Sequence, residues 1–358
     1  MLSDINPYLM MMVEHDASDM ILTANMKPHI KVEGVLRPAY AAVLSAGESN
    51  RLALSLMNDN QRQTFEATKE CNLSLSVEGI GRFRVNIYYQ RGEISLALRR
   101  IKTTVPDLEH LGVPKQAADL AMLKRGLVLI TGMAGSGKST TLASMIAHRA
   151  KHIGGHILTI EDPIEFILPH GRALVEQREV GFDTNTFADA LRNVLREAVD
   201  VIVIGEIRDM ETAKAAIAYA DGGSLCLSTM HSNNASQAID RILNFFPSEA
   251  HAQVLMDLSL NLKGVISQRL IHSKGKLVLA SEVMLQSAFL SDLILTGRIN
   301  ELKDAMKKST EEGMQIFDDS LFHLYKAGLI TLEEAMENAD SQADLSVRIR
   351  LESWHLPV

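Results

Sequence analysis

Leu127-Val128-Leu129-Ile130-Thr131-Gly132-Met133-Ala134-Gly135-Ser136-Gly137-Lys138-Ser139-Thr140 decides how this chain is read. Four apolar residues of strand type lead into a glycine-rich turn. The turn leads into Thr141 to Ala150, which has helix-forming composition and no glycine or proline. Gly132 to Ser139 fits G-x-x-x-x-G-K-[ST], in which backbone N–H groups surround phosphates, the lysine reaches the β and γ phosphates and the serine holds a magnesium ion. Gly135 and Gly137 permit backbone angles and a close approach that a Cβ would block, and the following helix turns its positive end to the anion. ATP with Mg2+ is the expected ligand. Its binding residues are Gly132, Met133, Ala134, Gly135, Ser136, Gly137, Lys138, Ser139 and Thr140, with Ser139 on the metal.

Three further apolar runs flank this stretch. His156 to Ile160 ends in Glu161-Asp162-Pro163-Ile164-Glu165-Phe166. Val201 to Ile204 runs into Gly205-Glu206, the Walker B pattern with glutamate where aspartate is usual, which makes Glu206 the second metal-site candidate. Leu225 to Met230 ends at His231. Apolar strands separated by helix-length segments, each with polar residues at its end, predict one doubly wound parallel sheet in an α/β domain. Ligands bind at the carboxyl edge of such a sheet, so acids there stand where metal coordination and water activation are needed. Spacing alone does not choose among Glu161, Asp162, Glu165 and Glu206 as the base.

The first hundred residues read differently. Asn6 to Glu14 is a short apolar helix, and Met20 to Thr23 and His29 to Val32 are strand pieces punctuated by Pro28 and Gly34. Ser45 with Glu48 forms a capping box, so a helix starts there, and a second spans Asp59 to Thr68. Arg82 to Tyr88 alternates strictly: Phe83, Val85 and Ile87 face a core, and Arg82, Arg84 and Asn86 face away. Ile94 to Arg99 alternates again, so Arg82, Arg84 and Arg99 share one face of a hairpin, either as an ordinary solvated face or as an anion-facing one. Pro106 and Pro114 mark a linker over residues 101–114, and Gln116 to Lys124 reads as a helix. The expected division is 1–100 for the N-terminal domain, 115–285 for the nucleotide domain and 286–358 for C-terminal amphipathic helices broken at Gly297, Gly313 and Gly328. After His231, helices are expected around Ala235 to Leu243 and Ala250 to Leu262, and a strand near Lys276 to Leu285.

Composition narrows the function. The chain has 358 residues, 46% of them hydrophobic, and a formal net charge of -8 with no long basic run, which disfavours a nucleic-acid partner. Cys71 and Cys226, the only two cysteines, suggest neither a disulfide framework nor zinc. No apolar run approaches the roughly 18 residues of a membrane span, so a cytoplasmic protein is expected, without direct membrane insertion.

Ile157 to Phe166, Gln177 to Val180, Arg192, Arg196-Glu197, Ile204 to Asp209, Thr229-Met230-His231 and Asp240-Arg241 together resemble the secretion ATPases, and among them the type IV pilus retraction group, PilT/PilU. Met306 to Ser309 and Asn338 to Ser341 look closer to the PilU branch. The resemblance implies a PAS-like α+β N-terminal domain joined to a RecA-like P-loop ATPase domain, a homohexamer, and ATP held between the two domains. It implies pilus retraction and twitching motility, with a PilT-like ATPase and an inner-membrane pilus platform protein as partners at that membrane. Carried over by residue, Glu165 activates the attacking water, Glu206 is the Walker B acid, and Glu161 and Asp162 are reserve bases. Arg82, Arg84 and Arg99 donate to the nucleotide, and His231 senses the γ-phosphate. The chain departs from the group's pattern at Ser224, at Ala198-Val199-Asp200 and at Ala288-Phe289-Leu290. These departures leave open a nucleotide-binding accessory subunit that assists another motor; a pilus-extension or type II secretion ATPase and a DNA translocase are the remaining alternatives.

Overall fold

The computed structural model describes residues 4–39, 41–194, 197–309 and 313–353. It divides into two compact units, one holding the residues up to Thr104 with Glu165–Ile167, the other Val105–Ile164 and the residues from Leu168 onward. Within the stretch 101–114, Leu108 is buried and the Pro106 carbonyl accepts a hydrogen bond from Ser144 Oγ at 2.6 Å, both in the second unit.

The first unit is built on six antiparallel strands: β1 (Asp19–Thr23), β2 (His29–Val32), β3 (Val35–Pro38), β4 (Glu70–Val77), β5 (Gly81–Gln90) and β6 (Glu93–Ile101). Their order is β3-β2-β1-β6-β5-β4. Alternation in β5 does what its period requires, burying Phe83, Val85 and Ile87 completely. Leu98 and Leu96 lie opposite Val85 and Ile87 on β6. The helices Asn6–Glu14, Ala46–Leu56 and Asp59–Thr68 close that core with Leu9, Met12, Leu52 and Phe65. Ser45 Oγ accepts from the Glu48 N–H at 3.2 Å, and Asn58 with Gln61 forms a reciprocal box, so both helix starts are fixed locally.

The second unit carries β7 (Gly126–Gly132), β8 (Gly155–Glu161), β9 (Ala173–Glu179), β10 (Val201–Ile204), β11 (Leu225–Met230), β12 (Leu262–Ser273) and β13 (Lys276–Leu285). The order is β13-β12-β7-β11-β10-β8-β9, and every pair is parallel except β12 with β13. Each residue of β7, β10 and β11 is buried, as parallel strands covered on both faces demand. Two strands go beyond the sequence expectation. β9 adds an edge, and β12 begins at Leu262, where a helix was expected to end; that helix spans His251–Asn261.

The helices Phe317–Lys326, Leu332–Asn338 and Gln342–Ser353 pack on the β12–β13 hairpin in a smaller core that includes Ile271, Ala280, Phe317, Leu321, Ile330 and Leu345. Arg269 of β12 lies 3.8 Å from the Phe317 ring centroid and pairs with Asp340 at 2.7 Å, which Lys303 also reaches at 2.9 Å. Beside this network Glu282 of β13 is only 2% exposed, and burial pushes its carboxyl from near 4.5 up to about 7.

The folded chain therefore holds this proton to higher pH than the unfolded chain. The stability that the neutral acid contributes is whole below about pH 4.5 and is lost as pH rises through about 7, by on the order of 3 kcal/mol. Glu282→Gln should flatten that decline in urea titrations between pH 5 and pH 8.5. Equal declines in the two proteins would contradict the assignment.

Candidate nucleotide site

The parallel register decides which residues can meet. Thr131 lies opposite Met230, so the loop after β7 and His231 after β11 leave the sheet side by side. Ile204 lies opposite Ser228 on one side and Ile160 on the other, so Glu206 and Glu161 leave at the same edge. With neighbouring strands roughly 4.8 Å apart, Glu206 starts about 10 Å from the β7 axis and Glu161 about 14 Å.

The loop from Gly132 to Ser139 has the shape that phosphate binding requires. Gly132 has φ 150°, and a Cβ there would stand 2.3 Å from Ser136 Oγ and 2.5 Å from the Gln268 carbonyl, so only glycine fits. Gly135 and Gly137 have φ 78° and 88°, and the helix Lys138–His152 begins directly after them with its N-terminus uncapped by any side chain. Lys138 is buried, its ammonium donating to the carbonyls of Gly132 at 2.8 Å and Met133 at 2.9 Å. Ser136 Oγ is buried without a hydrogen-bond partner, which is costly unless a ligand supplies one. A cavity of about 280 Å³ beside the loop is lined by Met133, Ala134, Ser136, Asn233, Arg269 and Asn338, among others. An uncapped helix end, an orphaned hydroxyl and a buried cation fit a phosphate chain.

Around the loop, His231 Nε2 lies 3.3 Å from Glu206 Oε1, both partly exposed. Glu161 is turned elsewhere: its Oε1 accepts from Thr159 Oγ1 at 2.7 Å and from Gln177 Nε2 at 3.0 Å, the latter on β9 at the sheet's outer edge. Asp162 pairs with Arg208 at 3.4 Å. Glu165 is exposed and belongs to the first unit, where the next residue, Phe166, bridges Lys102. In that unit Arg84 lies directly opposite Arg99, Arg82 donates to Ser74 Oγ at 3.1 Å, and Arg99 pairs with Asp19 at 2.8 Å. Like charges facing each other across a ladder oppose folding unless an anion offsets them. Ser224 stands at the opposite end of β11 from His231, its hydroxyl donating to the Val199 carbonyl at 3.3 Å, so this departure from the group's pattern lies far along the strand from the phosphate loop. Arg196 lies outside the described residues. The sequence reading missed Gln268, which donates to Thr141 Oγ1 at 2.7 Å while its own Oε1 has no partner. It lies on β12, a strand that was itself not recognised.

Fold and site define a P-loop ATPase, and comparison with known proteins makes that specific. The family profile described as type II/IV secretion system protein matches residues 1–312, and the chain belongs to this family. It is 49% identical to the type IV pilus ATPase PilU of Pseudomonas aeruginosa, over 96% of this chain and 91% of that protein. It is 40% identical to the type IV pilus retraction ATPase PilT of the same organism, over 94% of this chain and 98% of that one. The crystal structure of the pilus retraction motor PilT with bound ADP superposes with a TM-score of 0.88 at 40% identity, covering 97% of this chain and 98% of that chain.

Ser136→Ala separates ligand binding from folding. Removing an orphaned hydroxyl should leave the melting temperature of the free protein unchanged or higher, yet weaken nucleotide binding by roughly tenfold in equilibrium dialysis. Unaltered affinity would mean that this hydroxyl does not face the phosphates.

Proposed function

We propose that the chain is a cytoplasmic, hexameric Mg-dependent ATPase that couples ATP hydrolysis to retraction of a type IV pilus and so to twitching motility. The observation that carries the reading is the complete phosphate loop beside the Glu206–His231 pair, in a chain that resembles pilus ATPases over nearly its whole length. In this reading Lys138 and the N–H groups from Gly135 to Ser139 hold the phosphates. Ser139 and Glu206 would hold Mg2+; among the described residues no group of three or more His, Cys, Asp or Glu could hold a metal ion. When bound, Mg2+ neutralises charge on the phosphate chain.

The division of groups follows the sheet edge. Glu206 and His231 adjoin the loop strand by strand, so they act on the leaving and transferred phosphates, His231 as the sensor. Glu161 is held by Thr159 and Gln177 and serves as a support of the edge in preference to the base. By the family resemblance, Glu165 is the candidate activator of the attacking water, and Arg82, Arg84 and Arg99 are candidate donors to charge spreading over a transferred phosphoryl. Little covalent chemistry is asked of the protein in such a reaction, and positioning with charge stabilisation supplies the rate. Among the described residues no helix is long and apolar enough to cross a membrane. In this reading force reaches the pilus through a platform protein in the inner membrane, alongside a PilT-like ATPase.

Lys138→Ala should lower ATP turnover by about a hundredfold or more while the circular dichroism and melting temperature stay close to wild type. Cells carrying only this variant should keep surface pili but spread poorly by twitching. Normal turnover by Lys138→Ala would remove the site; bald cells would reverse the direction of the motor.

A further inference from the structure

Thr131, Ser267 and Glu282 form one row across three adjacent strands. Ser267 is the register partner of Thr131 on β7 and of Glu282 on β13. All three are at most 2% exposed in a sheet whose other buried positions are mainly apolar. Thr131 Oγ1 donates to Ser267 Oγ at 2.9 Å, and Ser267 Oγ contacts Glu282 Oε1 at 3.5 Å. The same Oε1 accepts from the backbone N–H of Ala235 at 2.8 Å. Each end of the row meets the nucleotide site. Thr131 directly precedes Gly132 of the phosphate loop, and Ala235 opens the helix Ala235–Asn244 four residues after His231.

Plain helix capping does not account for Glu282, because Asn234 already caps that helix by accepting from the Gln237 N–H at 2.9 Å. Glu282 instead reaches a first-turn donor from a strand on the far side of the loop strand. An apolar residue would fill the same buried position without the desolvation cost of a carboxyl.

We propose that Glu282 is a positioning residue for ATP hydrolysis: through Ser267 and Thr131 it ties the segment carrying His231 to the strand carrying the phosphate loop. The proposal rests on the hydrolytic reading given above. With the tether made, the Glu206–His231 pair and the loop hold one spacing; with it broken, the segment from residue 232 to 235 gains freedom while the phosphate loop remains intact. The charged groups acting on Glu282 are Arg269 from β12, Lys303 from the helix Leu302–Lys308, and Asp340, whose N–H is in turn held by Asp318 at 2.8 Å. Burial places its titration at about 7, so the tether passes from a neutral acid to a charge-assisted acceptor across the physiological range.

The test uses the full-length chain with Glu282→Leu, which keeps bulk but no acceptor, and Glu282→Gln, which keeps a neutral acceptor. Steady-state ATP hydrolysis from pH 6 to 8.5 is paired with amide exchange across residues 232–235. Glu282→Leu should lower kcat roughly tenfold with KM within about twofold, and should speed exchange at Ala235. Glu282→Gln should match wild type near pH 6 and fall behind it as pH rises through about 7. Unchanged kcat in Glu282→Leu, or Gln and Leu variants that behave alike at every pH, would overturn the positioning role. Unchanged exchange in a hydrolysing protein would overturn the tether, whereas a wild-type chain that binds ATP and never hydrolyses it would overturn the motor reading instead.

Discussion

The in-register parallel ladder from β7 through β11 and β10 to β8 is the constraint on which the rest depends. Residues 132, 161, 206 and 231 are far apart in sequence, yet each leaves its strand at the same edge because Thr131, Met230, Ser228, Ile204 and Ile160 are paired across it. Apolar side chains buried on both faces hold the ladder, and a slip of one residue would move every side chain to the opposite face and break its packing. The chemistry therefore borrows its precision from hydrophobic burial well below the edge. This also explains why strand order ranks the acids. Glu206 is two strands from the loop strand, whereas Glu161 is three away and already engaged by Thr159 and Gln177.

The first unit follows a different logic. Its core alternates cleanly, and the opposite face of β5 and β6 gathers Arg82, Arg84 and Arg99, with Arg99 paired to Asp19 and Arg82 donating to Ser74. Arg84 stands directly against Arg99 on that face, and the burial of Phe83, Val85 and Ile87 beneath them supplies the hydrophobic hold of the hairpin. Stability in this unit comes chiefly from its inner face, which leaves the outer face able to carry charge.

Much of this was legible in the sequence where local signals and burial agree. Val201 to Ile204 and Leu225 to Met230 are strands over the whole of the apolar runs that suggested them, and Ser45 and Asp59 start helices because capping groups at Ser45 and Asn58 fix them without tertiary help. β12 was hidden because Leu262 to Ser273 carries Lys263, Gln268, Arg269 and His272, follows directly on a helix, and owes its strand form to pairing with β7 and β13. β9 was hidden likewise, since Glu176, Gln177, Arg178 and Glu179 look like a solvated loop until Thr159 and Ile160 are placed beside them. β3, fully exposed and ending in Pro38, shows no alternation at all. In the site, the loop residues follow from a local pattern, but Gln268 and Glu282 belong to it only through strand pairing, which spacing along one chain does not encode.

The buried polar groups near β7 make the final connection. Ser136 Oγ and Gln268 Oε1 lack partners beside the phosphate loop, and Glu282 is desolvated two strands away, within a core that elsewhere in this sheet is predominantly apolar. Each costs stability in the unliganded chain, and apolar replacements of similar size would remove that cost. Ser136 and Gln268 stand beside the phosphate loop, where a bound nucleotide can offset the cost, whereas Glu282 is engaged by Ala235 and Ser267. The same core that aligns the edge thus leaves Ser136 Oγ and Gln268 Oε1 unpartnered beside the phosphate loop.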